Sequence, residues 1–259
     1  MLIPLVVALW QGRNFGGVKR TLIEDVQNLS DWNFDKRAQA IGVHYGPSFN
    51  LWTSFTPTVT FLGDDPNAGS LTLGPGVWPD LSQFNWGGRI KSVQFNLNLP
   101  VAMGSLDPNT GRHITVPALP VSTIAPIPLV LDAWTDYSPY PEPEGYPPGK
   151  RIQLVEASAS LRGEYGDEFN DSIKTIRLRR GPDYGGFDVA RLCRDDNYVA
   201  GYLEYGPSNQ IVYSDWGFSG PQTSSVYFTE PPRMPAGPLQ MRALSIPAWL
   251  QSLTQPLGI

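Results

Sequence analysis

"NLSDWNFDKRAQAIGV", residues 28–43, comes round again as "DLSQFNWGGRIKSVQF", residues 80–95. Leu29 falls on Leu81, Ser30 on Ser82, Asn33 on Asn85 and Arg37 on Arg89. Trp32 falls on Phe84, Phe34 on Trp86 and Ile41 on Val93. Upstream, "LWQGRNFGGVKRTL" (9–22) lies over "TFLGDDPNAGSLTL" (60–73) once one gap is allowed, which sets Trp10 on Phe61 and Leu22 on Leu73. A pattern of aromatics held over that span marks an internal repeat, and a repeat governs the reading of the fold. The unit is β throughout. "LVVALW" is a strand, and "QGRNFGG" is a hairpin whose glycines permit positive φ. "VKRTLI" alternates as a strand does, and "AQAIGV" closes the unit. Short strands around an aromatic-clamped hairpin predict a Greek key.

The unit returns twice more in weaker form. "RIQLVEASASLRGEYGDEFNDSIKTIRL" (151–178) carries the second half of a third copy, with Phe169 in the place of Phe34 and Ile176 in that of Ile41. Its first strand is read at "IPLVLDAWTDY" (127–137), with the Pro-rich "SPYPEPEGYPPG" as an expanded loop. A fourth copy starts at "VARLCRDDNYVAGYLEY" (189–205), where Cys193 and Tyr198 take the places of Trp10 and Phe15, and ends at "TSSVYF" (223–228). One such sheet cannot bury its apolar face alone, so four Greek keys pair into two β-sandwiches. The expected layout is domain one at 1–98, an ordered connecting arm with a hairpin at 99–126 lying across a domain or a neighbour, domain two at 127–230, and a Pro-rich extension at 231–259. That extension leaves room for one short helix near "PAWLQSL".

Composition agrees. Of 259 residues, 26 are Gly and 26 Pro, which with 12% aromatics points to short strands and turns. The balance of 19 basic and 24 acidic residues gives −5, with no basic stripe for nucleic acid or an anionic membrane. Arg177 and Arg179 share one face of a strand, read as a solvated face. The single cysteine, Cys193, excludes an internal disulfide. "MLIPLVVALW" has no basic n-region and is too short to cross a bilayer, so neither a signal peptide nor a transmembrane segment is expected.

Trp10-x4-Phe15-x-Gly17, followed by "NLSDWNFDKRAQAIGV", resembles the signature of the βγ-crystallin Greek key, clearly over 1–98 and weakly over 127–230. The second copy departs from it: Pro66 replaces the second aromatic, and Ala68 or Gly69 takes the glycine place. The resemblance implies paired Greek keys without enzymatic activity. Some members bind calcium through Asn/Asp, Asn/Asp, any, any, Ser/Thr, Ser. On this chain the first copy reads Asp35, Lys36, Arg37, Ala38, Gln39, Ala40, with an ammonium where an oxygen is needed. The second reads Gly87, Gly88, Arg89, Ile90, Lys91, Ser92, and the fourth Gly220, Pro221, Gln222, Thr223, Ser224, Ser225, both without a carboxylate. Only the third, Asn170, Asp171, Ser172, Ile173, Lys174, Thr175, keeps the leading pair, and Lys174 stands where the hydroxyl belongs. Asn170 and Asp171 are therefore a degenerate calcium site, with Lys174 expected to pair with Asp171.

Other chemistry is sparse. His44 and His113 lack metal-ligand spacing and read as loop residues. Cys193 reads as a buried structural thiol. "DDNY" (195–198) and "GDD" (63–65) are turn formers rather than the separated carboxylates of a glycosidase. Trp10, Trp32 and Trp86 are assigned to the core, while Trp52, Trp78, Trp134, Trp216 and Trp249 are less constrained. The expectation is a non-enzymatic structural protein: a subunit of a large assembly such as a phage virion (capsid, collar or tail), its arm and tail contacting other subunits. The alternatives are a calcium-binding βγ-crystallin stress or coat protein and a carbohydrate-binding or toxin-like module.

Overall fold

The computed structural model describes residues 1–51, 55–63, 69–98, 101, 103–106, 113–114, 118–120, 126–136, 149–186, 188–198, 201–207, 211–213 and 223–229. The chain is nearly all β. In the first sandwich, β1 (Leu5–Trp10), β2 (Lys19–Leu22), β3 (Ala40–Tyr45), β4 (Thr58–Gly63), β5 (Ser70–Leu73), β6 (Gly76–Trp78) and β7 (Ile90–Asn96) form two antiparallel sheets, ordered β2-β1-β3-β6 and β7-β4-β5. Strand β6 lies in the second copy of the repeat but pairs with β3 of the first, Ile41 opposite Trp78. The crossing is returned by Val26, which bridges Val93 on β7 through two backbone hydrogen bonds of 2.8 Å. Each Greek key thus lends its third strand to the other's sheet. Alternation then turns Leu5, Val7 and Leu9 inward, where they meet Val59, Phe61, Leu71 and Val93 in one core.

The repeated lead-in to the last strand has a backbone cause. Leu29–Trp32 and Leu81–Phe84 are single 3-10 turns, started by Asn28 and Asp80 side chains and ended by Asn33 (φ 51) and Asn85 (φ 59) in the left-handed region. Asparagine tolerates that conformation, which explains why it recurs there. Three residues on, Lys36 (φ 53) and Gly88 (φ 69) are again left-handed. Their N–H groups donate reciprocally across the sandwich, Lys36 to the Ile90 carbonyl (3.0 Å) and Gly88 to that of Ala38 (2.9 Å).

The second sandwich repeats the plan. Strands β10 (Leu129–Trp134), β11 (Arg151–Leu154), β12 (Thr175–Arg180) and β15 (Ile211–Tyr213) form a sheet ordered β11-β10-β12-β15. Strands β13 (Val189–Cys193), β14 (Tyr202–Tyr205) and β16 (Ser225–Thr229) form the other, ordered β14-β13-β16. Strand β15 crosses to β12, and Ser158 returns the exchange by bridging Val226. Asp171 (φ 52) repeats the left-handed position of Lys36 and Gly88 and donates to the Thr223 carbonyl (3.0 Å).

One alignment shifts. Leu9 faces Ile41, and Phe61 faces Val93, so Phe61 takes the place of Leu9 rather than Trp10, and Leu62 that of Trp10. The slip arises because Trp10 is an outward clamp, its ring edge-on to Phe15 at 5.1 Å, whereas Phe61 is fully buried core. The counterpart of Trp10 in the third copy is Trp134, opposite Thr175 as Trp10 is opposite Ala40. In the fourth copy Asn197 and Tyr198 reproduce the left-handed pair of Asn14 and Phe15, and Tyr198 leans on Tyr227 (5.3 Å).

Strands β8 (Gly104–Leu106) and β9 (His113–Ile114) pair with each other, and β8 extends the second sheet through β5. Leu119 then bridges Val77 at the other sheet's edge. The described parts of the arm therefore lie on their own sandwich and cover one edge of each of its sheets. Trp52, Trp216, Trp249, the 138–148 loop and the 231–259 extension lie outside the described residues.

The two sandwiches meet on the outer faces of β1 and β10. A separate apolar cluster joins Ile3, Val6 and Ile23 of one to Ile127, Val130 and Val155 of the other. Register makes these equivalents: Val7 sits between Leu22 and Val43 as Leu131 sits between Leu154 and Leu178. The seam is thus pseudo-isologous, equivalent positions being contributed from both sides. Gly46 donates to the Pro4 carbonyl and Gly181 to that of Pro128, both at 2.8 Å. A Cβ at either glycine would run into a backbone carbonyl, that of Ile3 or of Ile127. Gly46→Ala and Gly181→Ala are each expected to cost roughly 1–3 kcal/mol in urea melts, with Gly206→Ala, whose added carbon meets nothing, as the silent control.

Candidate functional site

The densest polar chemistry lies in this seam. Asp132 on β10 is fully buried. Its Oδ1 accepts from Arg151 (2.7 Å) and Gln153 (2.8 Å), and its Oδ2 from Arg177 (2.9 Å), with Arg179 Nε also 2.9 Å away. Glu24 of the first sandwich accepts from Arg151 (2.6 Å) and Arg179 (3.0 Å). Burial favours the protonated acid, but Arg151, Arg179 and Arg177 outweigh it and hold the Asp132 carboxyl below the usual carboxylate range. Arg177 and Arg179 are therefore not a solvated face. Register sets Arg177 opposite Asp132, and both arginines turn inward to that carboxylate, where their side chains are 23% and 18% exposed.

Equivalent residues exchange partners across the seam. Arg151 reaches Glu24 and stacks on Trp32 (4.7 Å). Its counterpart Lys19 reaches Glu156 and Glu164 (both 2.9 Å) and lies over Tyr165 (5.6 Å). Burial alone would lower the Lys19 ammonium, but Tyr165, Glu164 and Glu156 raise it instead. Arg20 is fully buried between Phe34 (5.3 Å) and Phe169 (4.9 Å), the two phenylalanines the repeat makes equivalent. Burial pulls its guanidinium down to about 10, so it stays charged at neutral pH.

The candidate metal loop is placed differently from its sequence reading. Asp171 Oδ1 accepts from the Ser224 hydroxyl (2.9 Å), and Oδ2 accepts from the Asn170 amide (2.7 Å). The hydroxyl beside Asp171 therefore comes from the fourth copy, not from position 174, because the strand exchange brings the two lead-ins face to face. Taking each copy separately hid this pairing. The side chains together still supply one carboxylate and one hydroxyl, already bonded to each other. Among the described residues no cluster of three His, Cys, Asp or Glu could hold a metal ion.

His44 lies on β3 opposite Val6, and His113 on β9, so both are strand rather than loop residues. Cys193 is a free, buried thiol, and burial pushes its pKa up, away from the reactive thiolate. Asp195 and Asn197 form the turn before β14, the Asp195 carbonyl accepting from Ser225 (2.6 Å). Asp64 and Asp65 lie outside the described residues. Trp134 and Trp78, 1% and 3% exposed, join the core, while Trp10 is half-buried. A cleft of about 460 Å³ beside the arm is lined by Tyr45, Leu73, Trp78, Met103 and Ala118, with no Asp, Glu, His, Lys or Arg among the described lining residues. No helix among the described residues is long and apolar enough to cross a membrane.

No protein-family model matches the sequence, and no curated protein does. Solved structures do. A βγ-crystallin from Ciona intestinalis aligns at 26% identity over 34% of this chain and 96% of its own, with a TM-score of 0.27. The solution structure of protein S complexed with calcium aligns at 13% identity over 86% of this chain and 99% of its own, TM-score 0.29. Geodin, a βγ-crystallin from Geodia cydonium, aligns at 12% over 87% and 99%, TM-score 0.28. These neighbours are all βγ-crystallin folds. The exchanged third strands, more than superposition, give this chain its crystallin-like Greek-key architecture.

Proposed function

We propose that the protein is a non-enzymatic structural subunit, two crystallin-like sandwiches fused into one stiff block for use in a larger assembly, a virion being the instance favoured. The observation that carries this reading is the seam. The most buried charges among the described residues, Asp132 and Arg20, are spent on joining the sandwiches rather than on lining a cleft. A part that must hold its shape under load gains from such a joint, since adjoining domains otherwise move relative to one another. The test is sedimentation velocity of the full chain and of a chain ending at residue 230, each alone and with extract from the native source. Self-association or recovery of a specific partner by the full chain is expected, weakened in the shortened one. Monomers throughout, with nothing recovered, would sink the reading.

The metal loop yields a separate expectation. Millimolar calcium should leave the melting temperature within about 1 °C, because a ligand that does not bind the native state cannot stabilise it. A rise of several degrees, lost in Asp171→Ala, would instead favour the calcium-binding alternative.

A further inference from the structure

The outer face of β14-β13-β16 differs from the equivalent face of the first sandwich. Ala190 and Leu192 of β13 point into the core, so Arg191 points out. Arg191 stands opposite Glu204 on β14 and Tyr227 on β16, and Tyr202 stands one step along, opposite Cys193. Tyr202, Tyr227 and Tyr198 are 51%, 42% and 39% exposed. Arg191 donates from Nε to Glu204 (2.9 Å), and its guanidinium lies over the Tyr202 ring (4.7 Å). Tyr198 and Tyr227 flank each other at 5.3 Å.

The first sandwich provides an internal control. Register makes Thr60, Thr72, Ser70 and Gln94 the equivalents of Arg191, Glu204, Tyr202 and Tyr227. There the face is closed by small polar groups: Thr60 bonds Thr72 (2.8 Å), and Asn96 bonds Thr58 and Thr60. The same strands therefore fold without large rings on this face. The rings on the second sandwich are surplus to the fold, and clustered exposed aromatics mark a binding surface.

We propose that this face binds a neutral oligosaccharide. Its charges cancel, since Arg191 and Glu204 are paired, so it selects neither an anion nor a cation. Tyrosine rings offer flat apolar surface to the C–H faces of sugar rings and a hydroxyl at the rim. The Arg191–Glu204 pair places a donor and an acceptor side by side, matching hydroxyls that both donate and accept. Tyr202 and Tyr227 stand on strands two spacings apart and two residues out of step, roughly 12 Å from each other, a span suited to two or three linked sugar units.

The experiment is titration calorimetry of the full chain with neutral cello-, xylo-, manno- and chito-oligosaccharides, with heparin as the charged comparison. Variants Tyr202→Ser and Tyr227→Gln install what the first sandwich already carries, and circular dichroism checks that each remains folded. Binding to at least one neutral oligosaccharide is expected, weakened roughly tenfold in either variant. No binding across the neutral set, binding of heparin alone, or binding unchanged in both variants overturns the proposal. So does an oligomer of the full chain that dissociates in the variants without any glycan bound, which would make the face a protein interface.

Discussion

Asp132→Ala is expected to cost the fold about 3–5 kcal/mol, measured as loss of urea stability at neutral pH. The magnitude follows from what remains. Arg151 and Arg179 stay in the seam with one carboxylate, Glu24, in place of two, and Arg177 loses its bonds to Asp132. Gln153 keeps its bond to the Ile23 N–H but loses its acceptor on β10. Unpaired buried charge, more than the lost attraction, sets the cost. Asp132→Asn retains an acceptor and should cost less. The pH dependence has a definite sign. The folded pKa of Asp132 lies below the unfolded value of about 3.9. Its stabilisation is therefore present above that value and lost as pH falls through the folded one. The gap between wild type and Asp132→Asn should be full at pH 6–7 and close in strong acid. A gap that widens on acidification contradicts this account.

Arg20→Ala is expected to be comparably severe, about 3–5 kcal/mol, and to alter the shape of the unfolding transition. The guanidinium gives its Nε to the Trp32 carbonyl (2.7 Å) and one NH₂ to the carbonyls of Lys19 (2.8 Å) and Tyr165 (2.7 Å). Its other NH₂ reaches Glu168 (3.0 Å), which also accepts from Asn33 (2.6 Å). Trp32 and Asn33 belong to the first sandwich, Tyr165 and Glu168 to the second, so one side chain ties both lead-in turns together. Alanine leaves buried carbonyls without a donor and a void between Phe34 and Phe169. Glu168→Gln should cost far less, because Glu168 is 31% exposed and water can replace part of what is lost. Calorimetry distinguishes the seam from a local defect. The wild type should melt in one cooperative transition and Arg20→Ala in two, one for each sandwich. A single transition merely shifted downward would assign Arg20 to the first sandwich alone.

The all-β Greek-key plan was legible because its signals are local. Alternation, left-handed Asn33 and Asn85, and apolar positions such as Phe169 and Ile176 depend only on neighbours along the chain. The seam was not read, although its trace is there. "IPLV" stands at both 3–6 and 127–130, and "KRTLIE" (19–24) matches "RIQLVE" (151–156). An outward residue such as Val6 or Asp132 shows its role only when the surface covering it is known, so Arg177 and Arg179 looked solvated. Ser224 beside Asp171 was hidden for a similar reason, since each metal loop was weighed within its own copy while the strands cross between copies. The misplacement of Trp10 on Phe61 matched ring size where the facing of the strand decides.

The crossing of third strands also bears on how the protein is made. A ribosome releases β1, β2 and β3 first, yet the outer edge of β3 has no partner until Gly76–Trp78 emerges, and Val26 has none until Val93 does. Through that interval of synthesis the nascent chain carries an open strand edge and an uncovered apolar face, both templates for association with neighbouring chains. Pauses before Val93 has left the ribosome lengthen that exposure, and later pauses do not. Synonymous codons read during that interval can therefore change the yield of soluble protein without altering a single side chain.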